Sequence, residues 1–304
     1  MKAVLLVIFN RPDTTKEVLS ALRANKPGRV YVSCDGPRPG NGTDPDRISR
    51  TIKTVERELD WPCDIRYRIL ENNLGCKDGV SSAISWLFEN EEDGIILEDD
   101  CVPGPDFLPY CAELLDRYKD VDRVGHIGGY NCQYGRRRGG ASYYFSQYFH
   151  VWGWATWRRA WKGYDPGIVD LDSFLAERSL EKLFSRPSIR SFWEDNFRAA
   201  TQPEFNTWDY QWVYQNFMQD RLAVVPQANL IRNIGFGSGA THTGTAKVRI
   251  PPLERLDFPL RHPSSIIPDR EADDFTYRHE LGMGRFHDLK HGIKKILGLD
   301  RGRR

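Results

Sequence analysis

The chain of 304 residues carries 43 Lys+Arg against 42 Asp+Glu, a formal net charge of +1, so global charge asks for neither a nucleic-acid partner nor an acidic solvating tail. Hydrophobic residues make up 40%, mean hydropathy is −0.57, and Gly and Pro number only 26 and 18, which excludes collagen and low-complexity disorder. The longest early apolar run, Ala3–Phe9, falls far short of the roughly 20 residues of a membrane helix and has no signal-peptide cleavage site, so a cytoplasmic location is expected.

Strand and helix signals alternate through the first third. Lys2–Phe9 reads as a strand buried on both faces, and Pro12, suited to the first turn of a helix, opens a helix over Asp13–Asn25 with Val18, Leu19 and Leu22 on one stripe. Arg29–Cys34 is a second strand. Ile48, Ile52, Val55 and Leu59 then recur at helical spacing. Asp64–Leu70 is a third strand, residues 76–90 a helix, Gly94–Leu97 a fourth strand, Pro105–Tyr118 a helix and Arg123–Ile127 a fifth strand. This alternation predicts an α/β fold with a doubly wound, mostly parallel sheet, whose ligands bind beyond the carboxyl ends of the strands.

Beyond about residue 130 the pattern changes. Tyr134–Gly140 places three arginines among glycines, residues 141–150 read as a strand, 153–219 largely as helices, and Leu222–Val225 as a short strand. The expected division is a catalytic domain over 1–250, with a nucleotide-binding half to 130 and a helical acceptor-side half over 131–250. Residues 251–304 follow as a proline-rich surface wrap and a basic tail. The six cysteines form no CxxC pair and have no His at zinc-finger spacing, so reduced, mostly buried thiols are expected.

The sharpest chemical signal is Glu98-Asp99-Asp100 at the end of the fourth strand. Three adjacent carboxylates repel one another, and a hard divalent cation shared with substrate phosphate would compensate them. An acidic cluster ahead of a helix is the plainer reading of the same residues. Neither GxGxxG nor GxxxxGK[ST] is present, so dinucleotide and P-loop readings lose their phosphate cradle. Gly235–Gly244, with Ser238 and His242 among its glycines, lacks the context of a hydrolase elbow and suits folding over a phosphate. Seven of nine tryptophans fall between Trp152 and Trp212, where stacking on sugar rings competes with plain core packing. Asp209, between Trp208 and Tyr210, is either a desolvated general base or an acid at a helix N-terminus.

Taken in order, these motifs run from Arg11-Pro-Asp13 through Val-Ser-Cys-Asp35-Gly and the strand that continues from Glu98 to Phe107. Gly153-Trp154, Trp208-Asp209 and Asn233-Ile-Gly-Phe-Gly237 follow. Over residues 1–245 the series resembles the GT-A glycosyltransferases of the N-acetylglucosaminyltransferase I type, especially their bacterial relatives. The resemblance implies inverting transfer from a nucleotide sugar, with a UDP-sugar favoured, to a glycan or lipid-linked acceptor, helped by Mn2+ or Mg2+. It implies Arg11 and Asp35 at the nucleotide base, Glu98 at the donor sugar, Asp99 on the ribose side and Asp100 on the metal. Trp208 would line the sugar pocket and Asp209 would be the catalytic base. The loop Phe236–Thr243 would close over the diphosphate, with Ser238 and His242 as donor contacts. Where the family carries a His in the helix after the third strand this chain has Gly79, and Lys77 is the nearest basic group; it is taken as a donor contact.

Two rivals are weaker. A sugar nucleotidyltransferase normally has a glycine-rich basic loop after its first strand, whereas here Asn10-Arg-Pro-Asp-Thr14 leads straight into a helix. A non-enzymatic sugar-binding protein leaves the acid run and Asp209 unexplained. Finally, Arg285–Arg304 holds seven Lys/Arg, with Leu289, Ile293, Ile296 and Leu297 at helical spacing. Such a segment is either a helix lying on the inner face of an anionic membrane or a terminal helix with a solvated basic tail.

Overall fold

The computed structural model describes residues 2–236 and 250–281. Its first part alternates β1 (Val4–Ile8), α1 (Pro12–Leu22), β2 (Arg29–Cys34), α2 (Asp44–Glu58), β3 (Asp64–Ile69), α3 (Gly75–Asn90) and β4 (Asp93–Glu98). The side-chain period of two explains why β1 is apolar throughout. Val4, Leu6 and Ile8 pack with α1 and α2 on one face, while Leu5 packs with α3 on the other.

The chain continues with β5 (Cys101–Pro103), α4 (Phe107–Arg117), β6 (Val124–Gly128), β7 (Tyr143–Ser146) and β8 (Trp154–Trp157). Next come α5 (Arg158–Trp161), α6 (Leu171–Ala176), α7 (Ser179–Leu183), α8 (Pro187–Ala200) and α9 (Asp209–Met218). The last elements are β9 (Leu222–Pro226), β10 (Ile231–Asn233) and α10 (Arg270–His279). Eight strands form one sheet in the order β3-β2-β1-β4-β8-β6-β9-β7, and β10 pairs with β5 in a separate two-stranded ribbon. The pairs β1–β2, β2–β3, β1–β4 and β6–β9 are parallel; β8 and β7 run antiparallel to their neighbours. The α/β class with a doubly wound, mostly parallel sheet is therefore the one observed.

The region expected to be largely helical, 153–219, opens instead with β8, inserted between β4 and β6. Its residues alternate as a strand should. Trp154 joins the core beneath α3, while Ala155 and Trp157 join the opposite core. Aromatic density hid this period in the sequence. The strand expected over 141–150 covers only Tyr143–Ser146, and the short strand β5 and helix α10 were not anticipated. No break in the sheet marks residue 130, because β6, β8, β9 and β7 continue it. A second core of Phe174, Trp193, Phe197, Tyr214 and Phe217 gathers α6, α8 and α9 into the expected helical half.

Residues 251–269 are tied to the body of the fold at several points. Arg255 grips the Asp106 carboxylate at 2.7 and 3.0 Å, and Asp106 also accepts the Leu256 N–H at 2.9 Å. Leu256 and Leu260 then reach the core. The wrap ends on the outer edge of β7, where the Asp269 N–H donates to the Phe145 carbonyl at 2.8 Å. At the other end of the sheet β3 is an open edge, with Tyr67 and Ile69 exposed. All six cysteines are free thiols, four of them buried. The basic stretch Arg285–Arg304 lies outside the described residues, and among those described no helix is long and apolar enough to cross a membrane.

Gly153, ahead of β8, has φ +61°, and a Cβ there would run into the Ile231 side chain, 2.6 Å from Cγ1. Gly153→Ala combines a left-handed backbone penalty with overpacking, so denaturant unfolding is expected to show a loss of about 2–4 kcal/mol. An unchanged midpoint would refute this account of the Gly-Trp pair.

Candidate functional site

From β1 the chain steps outward to β2 and β3, then returns across β1 to β4. The strand order thus reverses between β1 and β4, where open α/β sheets bind ligands. A cavity of about 290 Å³ opens there. Its floor and walls come from the ends of β1 (Phe9, Arg11), β2 (Asp35, Arg38) and β4 (Glu98, Asp99, Asp100), and from the first turn of α3 (Gly75, Cys76, Gly79). The second half contributes Trp152, Asn206, Asn233, Gly235 and Phe236.

The acid run leaves the strand with each carboxylate in a different setting. Asp99 is buried and accepts the Phe9 N–H at 3.1 Å. Asp100 pairs with the Arg11 guanidinium, Nη1 to Oδ2 at 2.8 Å, and the same nitrogen lies 3.5 Å from Asp99. Among the described residues nothing hydrogen-bonds the Glu98 carboxylate, which faces the cavity. Burial, then repulsion from Asp100, Asp99 and Asp209, holds Glu98 well above the usual carboxylate range, with Arg11 opposing. Burial and then Asp100 raise Asp99 likewise. Among the described residues, the Arg11 guanidinium is the cation paired with this run.

The ribbon β5–β10 shapes the other side of Asp100. Its backbone carbonyl accepts the Ile234 N–H at 2.8 Å, and Gly235 lies so close to the carboxylate that a Cβ would overlap Oδ2. The Gly235 N–H is in turn held by Asn233 Oδ1 at 2.8 Å.

Asp35 is at the cavity, but its oxygens are already occupied. Oδ1 accepts the Gly36 and Leu74 N–H groups at 2.9 and 2.8 Å, and Oδ2 accepts Asn73 Nδ2 and the Gly75 N–H at 2.9 and 3.0 Å. It therefore caps the first turn of α3. Asp99 is less fully engaged, with the Phe9 N–H on Oδ2 and the Arg11 guanidinium 3.5 Å from Oδ1. Arg11 stands with the acid run.

Trp208 departs most from expectation. Its ring is buried and stacks on Trp154, centroids 5.6 Å apart, so it belongs to the core and not to the pocket wall. Trp154 also stacks on His126 at 5.0 Å. The Trp212 indole donates to His126 Nδ1 at 3.2 Å, which leaves Nε2 to carry the ring proton toward the His150 carbonyl at 3.0 Å. Lys77 is not among the cavity-lining side chains; its backbone N–H is what engages the site, through Asn206 at 2.9 Å. Asp209 opens α9, its carboxylate bonded by the Thr207 hydroxyl; it is not among the residues lining the cavity, though its charge is felt at Glu98 and Cys76. Ser238, His242 and most of the expected lid lie outside the described residues.

Arg38, Asn73, Trp152 and Asn206 line the cavity without having been singled out from sequence. Arg38 is held by a two-point ion pair to the buried Asp44, 2.7 and 2.8 Å, with its guanidinium over the Phe9 ring. No spacing in the chain links these residues, since loops from separate elements bring them together.

Among the described residues no three His, Cys, Asp or Glu side chains converge as a metal cage. The described residues offer one or two carboxylates, with substrate oxygens left to complete the shell, as Mg2+ sites commonly require. An all-oxygen set with surplus negative charge fits a hard divalent cation at Asp100.

No protein-family model and no curated protein sequence matches this chain. Among solved structures, the S. aureus TarS 1–349 fragment is similar over 76% of this chain and 59% of its own, at 12% identity and a TM-score of 0.43. A cytidylyltransferase from Leptospira borgpetersenii is similar over 57% of this chain and 64% of its own, at 12% identity and TM-score 0.33. HddC from Yersinia pseudotuberculosis, complexed with GMP-PN, is similar over 54% and 80%, at 12% identity and TM-score 0.33. These likenesses decide nothing about activity.

Because folding raises the Glu98 pKa, its contribution to stability is present below its unfolded value and is lost as pH rises through the folded one. Glu98→Gln removes that loss. Its melting temperature in metal-free buffer should therefore match wild type near pH 4 and exceed it by a widening margin toward pH 9. A gap independent of pH would count against the crowded-acid site.

Proposed function

We propose that the protein is a GT-A type glycosyltransferase that moves a hexosyl or N-acetylhexosaminyl group from a nucleotide sugar to an acceptor hydroxyl with inversion. The observation that carries this reading is the convergence of Glu98, Asp99 and Asp100 on one cavity at the β1/β4 switch point, with Asn206, three residues before Asp209, on the same cavity wall. Neither a purely structural acid cluster nor a sugar-binding groove calls for that juxtaposition.

In this reading the nucleoside lies toward the ends of β1 and β2, beside Arg38 and the α3 turn that Asp35 caps. Arg11 and Asp100 face the diphosphate, and Glu98 faces the sugar. Asp100 would hold Mn2+ or Mg2+ together with phosphate oxygens; when bound, the cation supplies Lewis-acid stabilisation of the leaving diphosphate. Asp209 takes the acceptor hydroxyl's proton while the acceptor oxygen bonds to the anomeric carbon and the carbon–phosphate-oxygen bond breaks in line. The products are the inverted glycoside and a nucleoside diphosphate, and no covalent enzyme intermediate is needed. The favoured donor is a UDP-sugar and the acceptor a glycan or lipid-linked saccharide, both on the family resemblance.

Incubation with a panel of UDP-, GDP- and TDP-sugars plus manganese should release free nucleoside diphosphate from one donor class. Release of pyrophosphate from sugar phosphate and nucleoside triphosphate would point instead to nucleotidyl transfer, and no turnover with any donor would overturn the enzyme reading. With the active donor, Asp209→Asn should keep donor affinity while turnover falls about 10²- to 10⁴-fold. Asp100→Ala should abolish turnover and the metal dependence of nucleotide binding. Full activity of Asp100→Ala in a chelator would remove the metal from the reading.

A further inference from the structure

One side chain bonds the loop that delivers Asp209 to the first turn of α3, and this contact suggests how the base is placed. Asn206 lies at the cavity rim, three residues before Asp209. Its Oδ1 accepts the Lys77 N–H at 2.9 Å. That N–H is one of the four that the first turn of a helix cannot satisfy internally. The Leu74 and Gly75 N–H groups next to it are taken by Asp35. The N-terminus of α3 is thus capped from outside by two residues, one at the nucleotide end of the cavity and one on the acceptor-side loop.

Gly75 is what lets Asn206 come in. It has φ +79°, and a Cβ there would stand 3.1 Å from both Oδ1 and Nδ2 of the Asn206 amide. The remainder of the loop is anchored on its own half. Thr207 bonds the Asp209 carboxylate, the Trp208 ring stacks on Trp154, and the Trp208 carbonyl accepts the Tyr164 hydroxyl at 3.0 Å. Those anchors hold the loop to the aromatic core that packs beneath the middle of α3, whereas Asn206 bonds the loop to the first turn of that helix.

We propose that Asn206 is a positioning residue: through the Lys77 N–H it docks the Asp209-bearing loop onto α3 and so sets the base against a donor bound beside that helix. The proposal rests on the glycosyltransferase reading. A base displaced by about 1 Å costs on the order of 10²-fold in rate without any loss of substrate contacts. Asn206→Asp keeps an oxygen that can accept from Lys77, whereas Asn206→Ala does not. Gly75→Ala presses on the same contact from the helix side.

The test uses full-length protein with the nucleotide sugar that turns over in the donor panel, and measures kcat, donor KM and calorimetric affinity for the matching nucleoside diphosphate. Asn206→Ala should lower kcat about 10- to 100-fold, with KM and diphosphate affinity within about threefold of wild type. Asn206→Asp should restore most of that kcat. Gly75→Ala should lower kcat as well, and the double variant with Asn206→Ala should be little worse than either single one, since both break one contact. The inference is overturned if Asn206→Ala keeps wild-type kcat, if Asn206→Asp is as impaired as Asn206→Ala, or if the loss falls on diphosphate affinity. Wild-type protein that turns over no donor overturns the glycosyltransferase reading and this inference with it, a result distinct from an active wild type beside an unimpaired variant. Should Gly75→Ala fail to fold, the Ala and Asp pair at 206 decides alone.

Discussion

Among the described residues, three carboxylates at the end of β4 answer to one guanidinium, and the elements around them hold that arrangement. Arg11 reaches Asp100 because α1 begins one residue later, at Pro12, which directs the end of β1 back across the switch point. Asp99 is kept in place by the Phe9 backbone, and Gly235 has no side chain where one would overlap Asp100. The surplus charge is negative, and a divalent cation held at Asp100 would offset it.

The two halves share the β4–β8, β6–β8 and β6–β9 ladders of one sheet and, beneath α3, an aromatic cluster. Trp154 lies between His126 and Trp208, with Trp212 and Trp161 around it, so strand β8 of the central sheet meets helix α9 through stacked rings. His126 at this junction is neutral, its pKa pushed down to about 3 chiefly by burial. A base disfavoured in its charged form stabilises the fold above its unfolded pKa, and that contribution fades as the pH falls through the acid range toward the folded value. The tryptophan-rich segment is thus largely the seam between the halves, and Trp152 is the member of it that faces the cavity.

Most of the first half was legible from sequence because its strands are continuous apolar runs and its helices carry clean apolar stripes. The acid run was legible for a different reason: charge at a strand end contradicts local preference and so draws attention. The second half was read less well. In Trp154–Trp157 a strand's alternation is masked by aromatic residues that suit either a strand or a helix, and β5 is too short to show a period. The roles of Asp35, Asp99 and Trp208 needed tertiary structure, because a side chain's remaining hydrogen-bonding capacity depends on neighbours far away in the chain. Arg38 and Asn206 left no sequence signal, being surface-type residues in loops whose importance comes from the partners that hold them.

The sheet's two edges are protected by different means. On β7 the Asp269 N–H is bonded to Phe145, and its neighbour Pro268 has no N–H to offer a further strand. On β3 the outer backbone is uncovered and two large apolar side chains are exposed, yet Asp64, Arg66 and Arg68 alternate with them. Bringing up a second such edge would crowd like-charged guanidinium groups together. The arginines thus act as gatekeepers of colloidal behaviour: with threonines in their place, the segment from 64 to 69 would be a bare, β-prone template for chain-to-chain polymerisation.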